Sequence, residues 1–174
     1  MGTTMRILKI LGECGRMSDM KDVVVVVPNI RSVHNVASIF RTADGAGVRK
    51  IYLCGITPTP FDRLGNVRQD FQKVALGAHE SVLWEQRELC EEVLDTLKKE
   101  GYTVCALEQS EKSIPYDSKI HRDKIALVLG EEVSGIEQDI LSQVDIILEI
   151  PMQGEKESLN VSVAFGIAIY AIMK

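Results

Sequence analysis

The sequence predicts an α/β fold: a mostly parallel six-stranded sheet with helices on both faces. Three observations predict it. Short apolar runs rich in Val, Ile and Leu alternate along the chain with segments whose apolar residues recur at helical spacing. The first run, DVVVVVPNI (22–30), is β-branched almost without interruption, so both of its faces need cover, as in a parallel sheet. Turn formers close the runs, among them Pro28-Asn29, Gly55, Gly101, Gly130 and Pro151.

After the first strand comes HNVASIFRTADGAGV (34–48). Val36, Ile39, Phe40 and Ala43 form the apolar stripe of a helix, with Asn35 as its expected N-cap and Gly45 and Gly47 ending it. KIYLCGI (50–56) is a second strand. A Pro- and Gly-containing loop separates it from a short third, SVLWE (81–85). RELCEEVLDTLKKEG (87–101) is a helix closed by Gly101, and YTVCALE (102–108) is the fourth strand. KIALVLG (124–130) is the fifth, SGIEQDILSQ (134–143) a short helix, and DIILEIP (145–151) the sixth. The last segment, 161–172, is apolar on every side and needs cover all round, from its own domain or from a second copy.

A chain of 174 residues, 45% hydrophobic and 26% charged, suits one globular domain with a sizeable core. We expect a single domain over 1–174, with 1–22 an N-terminal extension packing on the core. The N-terminal apolar run is broken by Lys9, Gly12 and Glu13, so no cleavable leader is expected. The C-terminal run is shorter than the roughly 20 residues that span a bilayer. Cys14, Cys54, Cys90 and Cys105 form no CxxC pair, and His34, His79 and His121 lie far apart. Reduced, buried thiols, no metal site, no membrane partner and a cytoplasmic location are the expectations.

Net charge is −5, which argues against a nucleic-acid partner, but its distribution does not. Between 31 and 73, seven basic residues (Arg31, Arg41, Arg49, Lys50, Arg63, Arg68, Lys73) face three acidic ones; from 74 onward, nine basic face nineteen acidic. A basic patch on an acidic body can hold phosphates, because charge acts locally under salt. It can equally be a solvated cluster.

Ligands of open α/β sheets bind beyond the carboxyl ends of the strands. No GxGxxG follows the first strand and no GxxxxGK[ST] occurs, which disfavours dinucleotide and P-loop chemistry. What does follow the strand ends is Asn35 with Arg41 in HNVASIFRTADGAGV, then Gly130, Glu132 and Gly135 in LVLGEEVSGI, then Ile150-Pro151-Met152 and Ser158-Leu159-Asn160-Val161-Ser162. In that order the three stretches resemble the SpoU (TrmH-like) family of RNA 2′-O-ribose methyltransferases, of the SPOUT class. The resemblance spans 23–174.

It implies a C-terminal deep trefoil knot and S-adenosylmethionine as methyl donor, with S-adenosylhomocysteine as product. It also implies a homodimer with sites built across the interface, and a structured tRNA or rRNA as substrate. Carried over residue by residue, it places Arg41, Asn35, Glu132, Ser158 and Asn160 in the catalytic site. Leu107, Gly130, Ile150, Met152 and Leu159 would line the cofactor pocket. Arg31, Arg41, Arg63 and Arg68 would bind RNA, with 56–73 as a contact loop. Each has a bland counterpart. Arg41 lies off the apolar stripe and would serve as an ordinary solvated residue. Asn35 or Ser158 could simply cap helices, Glu131 and Glu132 could form an exposed turn, and 56–73 could pack on the sheet edge. Two other functions fit the same residues less well: a non-catalytic knotted RNA-binding relative, and a small-molecule α/β enzyme.

Overall fold

A computed structural model describes residues 21–131 and 134–174. The expected 1–22 extension therefore lies outside the described residues except for Lys21 and Asp22, and so does Glu132.

Seven strands form one sheet in the order β3-β2-β1-β6-β4-β7-β5, every pairing parallel. They are β1 (Asp22–Pro28), β2 (Lys50–Cys54), β3 (Leu83–Arg87), β4 (Thr103–Leu107), β5 (Ile114–Pro115), β6 (Lys124–Leu129) and β7 (Ile146–Glu149). Six match the expected strands. The seventh, β5, corrects the count: it is an exposed pair of residues beside β7, too short to leave an apolar run in the sequence.

The buried β1 valines show why the run is continuous. Val23, Val25 and Val27 enter one core; Val24 and Val26 enter the other. All five are at most 2% exposed, each contributing about 1.5–3 kcal/mol of burial. The first core is covered by α1 (Val33–Ala46), α2 (Gln69–Ala75), α3 (Ala78–Ser81) and α6 (Val161–Ile172). The second lies under α4 (Cys90–Lys99) and α5 (Gln138–Leu141). Helices thus cover both faces.

The α1 stripe is Val36, Ile39, Phe40 and Ala43 as expected, and the Phe40 ring meets Phe71 edge-on at 5.2 Å. Its N-cap is not Asn35. Ser32 takes that place, its Oγ accepting from the Asn35 N–H at 3.2 Å, and Asn35 sits inside the first turn. Gly47, at φ 78°, ends the helix. The stretch 56–73 is loop only as far as Arg68, since α2 begins at Gln69. Buried Thr57 ties that loop to β1, donating to Val27 O at 2.8 Å and accepting from Ile30 N at 3.2 Å. Among the described residues no helix is long and apolar enough to cross a membrane.

Candidate active site

The carboxyl ends of β4, β6 and β7 open into a cavity of about 380 Å³, closed on one side by the first turn of α6. That volume falls within the usual range for small-ligand pockets. All five residues expected at a cofactor, Leu107, Gly130, Ile150, Met152 and Leu159, line it, as do Ser158 and Asn160. Its lining also includes Glu108, Glu131 and Glu149 and, among the described residues, no basic residue.

Asn160 is the link between the cavity and α1. Its Oδ1 caps α6, accepting from the Ser162 N–H at 2.9 Å and the Ser162 hydroxyl at 2.7 Å. Its Nδ2 donates to Asn35 Oδ1 at 3.1 Å, across 125 positions of sequence. Asn35, 8% exposed, is thus held from the far end of the chain. Ser158 is not the cap; it stands exposed on the cavity wall. Asn160→Ala is expected to cost about 2 kcal/mol, a cap plus a part-buried hydrogen bond. Asn160→Ser should recover the cap's share, and urea unfolding measures both.

The loop after β6 closes on itself. Glu131 and Gly135 exchange two backbone hydrogen bonds, 3.0 and 3.2 Å, and Glu131 Oε1 accepts from the Ser134 N–H and hydroxyl. Arg31 Nε stands 3.8 Å from Glu131 Oε2, which brings that arginine to the cavity rim while leaving its side chain 77% exposed. Arg63 is exposed on the turn closed by the Phe61–Val67 bridge, and Arg68 is half-buried with Nε 3.5 Å from Asp70. Arg41 is exposed on α1 and does not line the cavity. Six positions beyond Asn35, it stands about 9 Å further along the helix axis. One chain therefore brings Asn35, Ser158 and Asn160 together and leaves Arg41 apart.

The sequence reading missed Glu108 and Gln109 on the cavity wall. A carboxylate directly after a parallel strand was the available signal. Among the described residues cysteine nucleophiles are disfavoured: Cys54, Cys90 and Cys105 are buried free thiols. A hydrogen bond with Cys54, and then burial, push the Cys90 thiol upward, and burial raises Cys105 to about 12, so both stay protonated near neutrality. Among the described residues no cluster of three or more His, Cys, Asp or Glu is placed to hold a metal.

Residues 22–170 match the sequence model of the SpoU rRNA Methylase family. The chain belongs to that family. Among curated SpoU-type relatives, the tRNA (guanosine(18)-2'-O)-methyltransferase of Aquifex aeolicus is 30% identical over 150 residues, covering 86% of this chain and 68% of that protein. The 23S rRNA (guanosine-2'-O-)-methyltransferase RlmB of Coxiella burnetii is 30% identical over 151 residues, covering 87% of this chain and 58% of that protein. Among solved structures, the A. aeolicus TrmH/SpoU tRNA modifying enzyme superposes with a TM-score of 0.75 at 29% identity, over 87% of this chain and 73% of its own. An AdoMet-bound rRNA methyltransferase from Sinorhizobium meliloti reaches 0.78 at 23% identity, over 88% and 56%, a likeness of fold. The chain spans little more than half of several of these SpoU relatives.

Proposed function

We propose that this chain is an S-adenosylmethionine-dependent methyltransferase that modifies a ribose 2′-hydroxyl of structured tRNA or rRNA, acting as a homodimer in the cytoplasm. The observation that carries the reading is the cavity: every residue that family resemblance assigns to the cofactor lines one hollow at the end of the sheet. The residues fit the group. Leu107, Ile150, Met152 and Leu159 offer apolar cover for an adenine, and Gly130 lets a ligand approach the backbone. Three acidic residues and no basic one in the described lining suit a ligand whose sulfonium and ammonium outweigh its single carboxylate.

When bound, S-adenosylmethionine would supply an activated methyl group: the S–CH3 bond would break as the ribose O–CH3 bond forms, S-adenosylhomocysteine would leave, and the hydroxyl proton would pass to solvent water. The protein's part is to position the ribose and stabilise the charge developing on its oxygen. We assign Asn35 and Asn160, already bonded to one another, to orientation of the ribose, with Ser158 beside them and Glu132 as an anchor of the same site. Arg41 is assigned to the adjacent phosphate and the developing alkoxide. A guanidinium donates without giving up its proton, so it serves as a stabiliser and not as a base. Arg31, Arg63 and Arg68 are assigned to RNA phosphates. The implied trefoil knot belongs to the same proposal and rests on the family resemblance; the segments it would involve do touch one another. Gln109 bonds Glu157, and β5 pairs with β7.

A homodimer is supported by α6. Val161, Phe165, Ala168, Ile169 and Ile172 are buried within the chain, while Val163 (51% exposed), Ile167 (37%) and Tyr170 (53%) form an outward apolar stripe. A second copy on that stripe would bring its own Arg41 toward this cavity. Val163→Glu with Ile167→Glu is expected to give a monomer by light scattering and to abolish methyl transfer. A dimer with full activity would remove the interface.

The reading is tested by incubating the protein with methyl-labelled S-adenosylmethionine and total RNA. Label in alkali-resistant dinucleotides is expected. RNA binding without label would favour the non-catalytic relative, and absence of both label and RNA binding would reject the RNA reading in favour of a small-molecule enzyme.

A further inference from the structure

Within the sheet, β4 lies between β6 and β7, and the two loops that build the cavity follow those two neighbours. The dipeptide at the end of β4, Glu108-Gln109, reaches both. On one side Glu108 Oε2 accepts from the Ile136 N–H at 3.0 Å, while Oε1 accepts from the Gln109 N–H at 2.9 Å. The same carboxylate occupies the space that Gly135 leaves open, whereas a Cβ on Gly130 would first meet the Gly135 backbone, at 3.0 Å. A Cβ on Gly130 would lie 3.2 Å from Glu108 Oε2, and one on Gly135 would lie 2.3 Å from it. On the other side Gln109 Nε2 donates to the Glu157 carbonyl at 2.6 Å, in the loop that leads into α6.

We infer that Glu108 and Gln109 are positioning residues, a two-sided clamp that holds Gly135–Ile136 on one side and the 150–160 loop on the other at the spacing the S-adenosyl group requires. The inference rests on the functional reading above, which supplies the ligand. Its physical basis is preorganisation. A loop already fixed by a hydrogen bond to a neighbouring strand loses less conformational freedom when a ligand seats against it, and the saving appears as affinity. The two halves differ in kind. Glu108 is half-buried and bonded to two backbone N–H groups, so truncation removes acceptors from beneath the glycine loop. Gln109 is exposed and holds its loop through one bond, so its replacement disturbs no core.

Calorimetric titration of the full chain with S-adenosylhomocysteine tests the clamp, alongside thermal unfolding without ligand. Glu108→Ala is expected to weaken binding by about tenfold or more, Glu108→Gln by less because one acceptor remains, and Gln109→Ala by about fivefold. Gln109→Ala should unfold at the temperature of the unaltered protein, and Gln109→Lys, which restores an N–H donor, should bind more tightly than Gln109→Ala. A purely structural role would produce neither of these last two results. Affinities within about twofold of the unaltered chain for both Glu108→Ala and Gln109→Ala would overturn the clamp while leaving the cofactor reading intact. Absence of binding by the unaltered chain would overturn the cofactor reading and the clamp with it.

Discussion

Arg41→Ala is expected to lower methyl transfer by about 10²–10³-fold, the usual loss when one preorganised donor to a developing oxyanion is removed. Binding of S-adenosylmethionine should stay within about twofold, since Arg41 does not line the cavity of its own chain. Stability should also hold, because the side chain is exposed on α1 and lies off the stripe that packs in the core. The separation of effects is the point. A guanidinium that only decorated the helix would leave turnover untouched, and one that built the pocket would take cofactor affinity with it. Arg41→Lys keeps the charge but loses the planar fork that can grip two phosphate oxygens at once. Near-normal turnover in that variant would rule out a bidentate role. Single-turnover kinetics with saturating cofactor, paired with calorimetry, measure both quantities.

Gly135→Ala is expected to weaken cofactor binding by about ten- to a hundredfold. Gly135 sits at φ 69°, where a residue with a Cβ is strained, and its Cβ would stand 2.3 Å from Glu108 Oε2. Either the loop moves out or Glu108 does, and the bond from Ile136 N–H to that oxygen goes with the displacement. The displaced loop and the broken bond, about 1–3 kcal/mol, set the expected range at about 1.4 kcal/mol per factor of ten, while the left-handed strain itself is a cost to stability. Gly101→Ala is the control. Its φ is 85°, but nothing lies within 4 Å of an added Cβ, so it carries the strain without the clash. It should lose stability and keep cofactor affinity. A Gly135→Ala affinity within about twofold of the unaltered chain would mean that the packing of Glu108 under the loop does not govern the site.

Much of this fold was legible from the sequence because the parallel sheet writes itself in uninterrupted apolar runs. The two faces of β1 are both buried, and no polar residue interrupts Val23 to Val27. Strand β5 was not legible, since Ile114 and Pro115 are exposed and pair only through the edge of β7. The α1 cap went to Asn35 because local rules score Ser and Asn alike. Ser32 holds the place, and Asn35 is bonded to a residue 125 positions away, which no local pattern records. The same limit applies at the cavity. The five lining residues came from family resemblance, whereas Glu108 and Gln109 act through bonds to Ile136 and Glu157 that only the assembled sheet creates. For Arg41, composition and periodicity pointed to a solvated residue, and within one chain that is where it stands.

The claim on which the account turns is that the cavity of one copy is completed by Arg41 of the other. Mixed dimers of the Arg41→Ala and Gly135→Ala chains test it directly. Assayed with cofactor well below saturation, each variant alone should keep about a tenth of the activity or less. In a mixed dimer, the intact cavity of the first chain would face the intact Arg41 of the second, giving one working site. With random pairing, about one quarter of the unaltered activity should return. If Arg41 serves the cavity of its own chain, no site in any dimer would be whole, and the mixture would stay as inactive as its parts.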